Sequence, residues 1–197
     1  MDQKNQERIE KILAERRVES EASPSLIDLY RNALSKEFPS EFPCEINGLF
    51  LENNFTGDDE LDYLNFEKIF KGNRWNEVDL SLMHEVHVQF NYMSPIGKKY
   101  YLPALLSFFY DMRYSNMEYY TYLLSSLRHW SISQTIDERK AAGESLGFLL
   151  AYTGLNDSQA KLVAFFLANV ANLSVSQYDA EMAQEALTNY WGNFLLY

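Results

Sequence analysis

The chain has 197 residues, 47% hydrophobic and 15% aromatic, with one cysteine and a formal net charge of −11. That length suits one domain burying about 70% of its unfolded surface, and the apolar content excludes a disordered chain. Seventeen basic against 28 acidic residues argue against a nucleic-acid partner, which needs clustered Lys and Arg, while a lone cysteine excludes an internal disulfide and fits a reducing compartment.

The opening residues 1–17, MDQKNQERIEKILAERR, are charged throughout and lack the apolar core of a signal peptide. No uninterrupted apolar run approaches the roughly 18 residues of a membrane span. The expectation is a cytoplasmic protein with no membrane partner. Residues 4–17 read as a helix with a thin stripe of Ile9, Ile12 and Leu13, too narrow to anchor it strongly. We read residues 1–20 as a helical arm and residues 21–197 as one helical domain.

Ser23-Pro24 is an N-cap followed by proline at the first helical position, and Leu26, Ile27, Tyr30, Ala33 and Leu34 follow at helical spacing. Pro39 and Pro43 end that segment. The run 44–51 (CEINGLFL) fits either a short strand pair or an extended apolar loop. A helix then starts near Gly57, with carboxylates in its first turn, and stops at Gly72. Asn76 is read as the cap of another, with Val78, Leu82, Val86 and Phe90 as its i,i+4 ladder.

Ser94-Pro95 repeats the cap-then-proline device. The helix it opens is apolar on nearly every side through Phe109, the pattern of a bundle's central helix. Residues 115–128 make a tyrosine-rich helix, and Asp137 starts another ending near Gly154. Asn156 with Gln159 resembles a capping box, and Ser174 with Gln177 is read as a second one for a last helix ending at Gly192. The apolar tail 194–197 is expected to dock. The fold class is therefore mainly α: a single-domain bundle of about seven or eight helices around a central helix containing Pro103.

Proline at 103 removes a backbone hydrogen bond and frees the Lys99 carbonyl. Tyr100 and Tyr101 project about 100° apart, so one can face the core and the other a groove. A small pocket at this point, bordered by Tyr100, Tyr101, Arg74, Trp75 and His87, is the candidate ligand site; the plainer reading is a central helix whose hydroxyls are satisfied. Glu52, Asp58, Asp59, Glu60 and Asp62 form an acidic patch without a calcium-loop pattern. It is either a solvated face or a docking surface for a basic protein.

His84 and His87, with Glu77 a heptad before His84, lack metalloprotease spacing, and no metal is assigned. Cys44 beside Glu45 reads as a small apolar filler, and the two glycines of Gly143-Glu144-Ser145-Leu146-Gly147 as a close helix contact. No nucleophile-elbow, phosphate-loop or dinucleotide motif is present, so no catalytic residue or cofactor is assigned.

Phe70-x-Gly72-x-Arg74-Trp75, followed by Ser94-Pro95-x-Gly97-x-x-Tyr100-Tyr101-Leu102-Pro103-Ala104, resembles a family of uncharacterised bacterial proteins. In those, an F-x-G-x-x-W segment precedes an (S/T)-P-x-(G/A)-x-x-Y-Y-L-P-A segment. The likeness covers residues 60–115 well and 155–193 loosely, and the tyrosine-rich stretch 113–155 departs from it. It implies a bacterial, soluble, helical protein and no particular activity. Two functions remain open. One is a non-enzymatic, immunity-like binding module for a basic protein. The alternative is an enzyme or small-ligand sensor with its pocket at Pro103.

Overall fold

The computed structural model describes residues 24–51, 58–79, 82, 92–111, 118–128 and 154–195. Six α-helices stand among them: α1 (Pro24–Glu37), α2 (Asp58–Phe70), α3 (Pro95–Tyr110), α4 (Glu118–Arg128), α5 (Asp157–Leu173) and α6 (Gln177–Asn189). Two 3-10 turns, Ile46–Leu49 and Trp191–Leu195, complete the set. The mainly helical class is as the sequence implied. The helices read at 4–17 and 137–154, the 83–90 part of the ladder and the Gly143–Gly147 pair lie outside the described residues.

Helix α3 is the hub. Eleven of its 16 residues are buried, Pro103 among them, and the helix runs through that proline without a break. Its Ser94 cap accepts from the Gly97 N–H at 3.1 Å, and Pro95 fills the first helical position. Around α3 pack α1 (Tyr30 stacked on Tyr110 at 4.0 Å), α2 (Phe70 edge-on to Tyr101 at 5.0 Å) and α4 (Phe109 tilted against Tyr120 at 5.4 Å). Helices α5 and α6 pack on each other, α6 on α4, and α5 on both α1 and α3. Trp191, fully buried, closes that end by donating its indole N–H to the Leu127 carbonyl at 3.0 Å.

The run 44–51 is not a strand pair. It forms the Ile46–Leu49 turn and then one antiparallel bridge, Phe50 to Met93, with no strand among the described residues. The pairing stays short because its partner chain turns directly into α3 at Pro95, which has no N–H to extend a ladder. Ser94 finishes the junction: its hydroxyl donates to the Gly48 carbonyl at 2.7 Å and its N–H to the Leu49 carbonyl at 3.0 Å. The approach is so close that a Cβ on Gly97 would drive into the Leu49 carbonyl oxygen.

Two caps differ from their reading. Asn76 starts no helix within 77–79: the Arg74 N–H donates to Glu77 Oε2 and the Glu77 N–H returns to the Arg74 carbonyl, closing a turn. The last helix is capped by Ser176, whose hydroxyl accepts from the Asp179 N–H. Ser174 instead ends α5, its N–H bonded to the Val170 carbonyl, and its hydroxyl holds the Ser176 N–H through the bend. Helix α6 stops at Asn189, short of Gly192, and Phe194 and Leu195 pack partly buried against the core. The Asn156–Gln159 capping box is present in full, and the Gln159 amide also donates to the Glu37 carbonyl at the end of α1.

Gly97→Ala is expected to lower stability by about 3 kcal/mol, because main chain rather than a flexible side chain meets the added methyl. Gly72→Ala, where φ is +86° but nothing lies within contact distance, should cost only about 1–2 kcal/mol. Urea unfolding of the two variants checks the order.

Candidate functional site

Tyr100 and Tyr101 sit side by side on α3, their rings 4.9 Å apart and nearly perpendicular. Tyr101 points at the C-terminal end of α2. Helix ends leave carbonyls without intrahelical partners, and the buried Tyr101 hydroxyl meets two there. It donates to the Phe70 carbonyl at 2.7 Å and lies 3.0 Å from that of Asn73. Gly72, with its positive φ, turns the chain so that both carbonyls reach the ring. The Asn73 side-chain amide donates to the Ile69 carbonyl at 2.9 Å and completes the cap.

Tyr100 points at the strap that follows α1. Its hydroxyl donates to the Ser40 carbonyl at 2.6 Å, and the Phe42 ring lies 5.3 Å from its own. The Trp75 indole donates to the preceding carbonyl, that of Pro39, at 3.0 Å. Arg74 Nη2 stands 3.3 Å from Glu41 Oε2 at the surface. The strap 39–42 is therefore held by three consecutive partners on its far side: Trp75 on residue 39, Tyr100 on 40 and Arg74 on 41.

Burial pushes the Tyr101 hydroxyl well above the ordinary tyrosine range, and the neighbouring Tyr100 adds to the shift. Burial also raises Tyr100; a hydrogen bond from the Trp75 main chain and the Arg74 charge oppose this, while Glu41 and Glu77 reinforce it. Tyr63, on α2, is pushed up to about 12 by burial and by its hydrogen bond to Glu67. These hydroxyls stay protonated donors across the ordinary pH range, and those of Tyr100 and Tyr101 are spent on the chain's own carbonyls.

The structure thus brings together Arg74, Trp75, Tyr100 and Tyr101, four of the five residues read as a ligand site. The fifth, His87, lies outside the described residues. Ser40 and Phe42 stand beside Tyr100, and both tyrosines are buried. A shallow depression occurs elsewhere, lined by Cys44, Glu45, Ile46, Asn47, Lys71 and Gly72. Cys44 there is half-buried against the core, its thiol donating to the Glu45 carbonyl at 3.3 Å. Of the acidic patch, Glu52 is outside the described residues, Asp58, Asp59 and Glu60 form the start of α2, and Asp62 is half-buried. Among the described residues no three His, Cys, Asp or Glu side chains converge to hold a metal, and no helix is long and apolar enough to cross a membrane.

The sequence reading missed Pro39, Ser40, Glu41 and Phe42. The first two act through main-chain carbonyls, which carry no residue-type signal. Glu41 and Phe42 lie between two prolines in a stretch read only as a break.

A family model of unknown function, DUF6714, matches residues 55–195. The chain belongs to that family. Both aromatic segments lie inside the DUF6714 match, whereas α1 and the strap 39–42 lie outside it. No curated protein and no solved structure matches the chain.

Tyr101→Phe removes the hydroxyl's bond to the Phe70 carbonyl, which keeps the Asn73 N–H as a donor, and should cost about 1 kcal/mol, with the strap still in place. The raised tyrosines also set an alkaline limit. A hydroxyl whose folded pKa exceeds the unfolded value of 10.0 adds stability that is complete below pH 10 and lost as pH climbs through the folded value. For Tyr63 that window runs from 10.0 to about 12. Urea midpoints should fall across it, and fall less steeply in Tyr63→Phe.

Proposed function

We propose that this protein is a non-enzymatic binding module of the bacterial cytosol, of the immunity type, that captures a basic protein through acidic surface. The observation carrying this reading is the commitment of Trp75, Tyr100 and Tyr101. The polar atoms that would recognise a small ligand are donated to main-chain carbonyls at 2.6–3.0 Å. What stands out against that self-satisfied core is charge: −11 overall, with four carboxylates in the five positions 58–62. Carboxylates facing Lys and Arg on a partner speed encounter and select among partners more than they add affinity. The single cysteine accords with a reducing compartment.

A second reading keeps one observation in its favour. The half-exposed Arg74 guanidinium already holds a carboxylate, that of Glu41, close enough to Tyr100 for its charge to act on that hydroxyl. A small anion displacing Glu41 would make this a ligand-sensing point, with Trp75 and Tyr100 beside it.

One experiment separates the readings. The first expects a basic protein from the native host to bind the purified chain at low salt, release as salt rises, and bind at least about tenfold more weakly to the neutralised patch variant Asp58→Asn, Asp59→Asn, Glu60→Gln, Asp62→Asn. Binding that ignores both salt and the patch contradicts it. So does a small carboxylate that raises the thermal midpoint of the native chain but not of Arg74→Ala, a result that would install the second reading.

A further inference from the structure

Helices α4 and α6 lie side by side and run parallel. Toward their starts Thr121 Oγ1 stands 3.5 Å from Asp179 Oδ1, and further along Arg128 Nε pairs with Glu185 Oε2 at 2.7 Å. Successive residues of a helix turn by about 100°. On two parallel helices, the residue just after a facing position on one and the residue just before it on the other therefore project from the same side of the seam. Around the Thr121–Asp179 contact those residues are Tyr122, 49% exposed, and Tyr178, 59% exposed. Apolar side chains scattered singly over a surface are ordinary, but these two rings border one seam. The seam itself holds a carboxylate. Asp179 is buried, and its partners are neutral: the hydroxyls of Ser176, which caps α6, and of Thr121. Among the described residues no cation stands against it, and burial raises its pKa. The rest of α6 adds Glu181 and Glu185 and no basic residue, and the chain has no Lys, Arg or His beyond Lys161.

We propose that the α4–α6 seam is a docking point for an arginine side chain of the basic partner, its guanidinium lying against the Tyr122 and Tyr178 rings over the Asp179 carboxylate. This contact presupposes the basic partner proposed above and adds to the 58–62 patch a second point of attachment on different helices. Charge complementarity selects a cation, since the seam offers a buried carboxylate without a counter-charge on a helix that carries only acidic charges. An opposite charge arriving there would balance a group that burial has stripped of water. The exposed rings select arginine over lysine: a guanidinium is planar, weakly hydrated and stacks on aromatic faces, whereas an ammonium is a compact, strongly hydrated charge. Tyrosine is also among the residue types that anchor interfaces, because its rigid ring gives large contact area at small entropic cost.

Fluorescent tetra-arginine, titrated at low salt against the full chain, decides it. The native chain should bind tetra-arginine at least about threefold more tightly than tetra-lysine, a peptide of equal charge. Tyr122→Leu with Tyr178→Leu should weaken tetra-arginine at least about fivefold, while Tyr122→Phe with Tyr178→Phe, which keeps both rings, should stay within about twofold of the native chain. Asp179→Asn, which keeps an oxygen for the Ser176 and Thr121 hydroxyls, should weaken it at least about threefold. Unchanged circular dichroism in all three variants shows that the fold is intact. A native chain that binds no tetra-arginine, or binds both peptides equally, overturns the proposal, as does binding that survives the leucines or Asp179→Asn. Binding lost in the neutralised 58–62 variant but not in the leucine variant overturns this contact and leaves the basic-partner reading standing. Binding lost in the leucine variant but not in the 58–62 variant upholds the seam and moves the partner's site away from that patch.

Discussion

A helix that must be buried on every side, yet carries tyrosines, has to find a hydrogen-bond acceptor for each hydroxyl it takes out of water. That constraint organises this molecule. Helix α3 supplies the apolar bulk of the core, and an unsatisfied buried hydroxyl there would cost on the order of 1–3 kcal/mol. The acceptors are main-chain carbonyls of the neighbouring segments: the end of α2 for Tyr101 and the strap after α1 for Tyr100. Tyr30 on α1 and Trp191 after α6 repeat the device, donating to the Leu162 and Leu127 carbonyls.

The same logic bears on the extent of the folding unit. The family match begins at residue 55, but the side chains inside it reach outside it. Trp75, Tyr100 and Gln159 donate to the carbonyls of Pro39, Ser40 and Glu37, and Tyr30, Leu34 and Phe38 belong to the common core. Because the acceptors are main chain, residues 37, 39 and 40 can change identity and still be held. A sequence comparison has little to register there, even where the packing is indispensable.

This also explains what could be read in advance. Helix α3 was legible because its signals agree: serine cap, proline at the first position and an apolar run longer than one face requires. The Asn156 box was legible because its two partners are spelled in the sequence at fixed spacing. The strap was not, since carbonyl acceptors have no letter. Neither was the fate of residues 44–51: nothing local says that Gly97 must admit the Leu49 carbonyl, which is a fact of tertiary approach. At the candidate site, the residue types Arg74, Trp75, Tyr100 and Tyr101 were found and their convergence was real, but their polar atoms turn toward the chain itself. Side-chain chemistry alone cannot distinguish a tyrosine awaiting a ligand from one closing a helix.

Native-state hydrogen exchange along α3 tests the central claim most directly. If α3 is the enclosed hub, amides of residues 101, 102 and 104–109 exchange only through global unfolding, with the full denaturant dependence of that transition, and the slowest amides of α1 near Leu34 and of α5 near Val163 share the same free energy. Exchange of the α3 amides through a smaller, local opening, while α5 and α6 stay closed, would contradict the account.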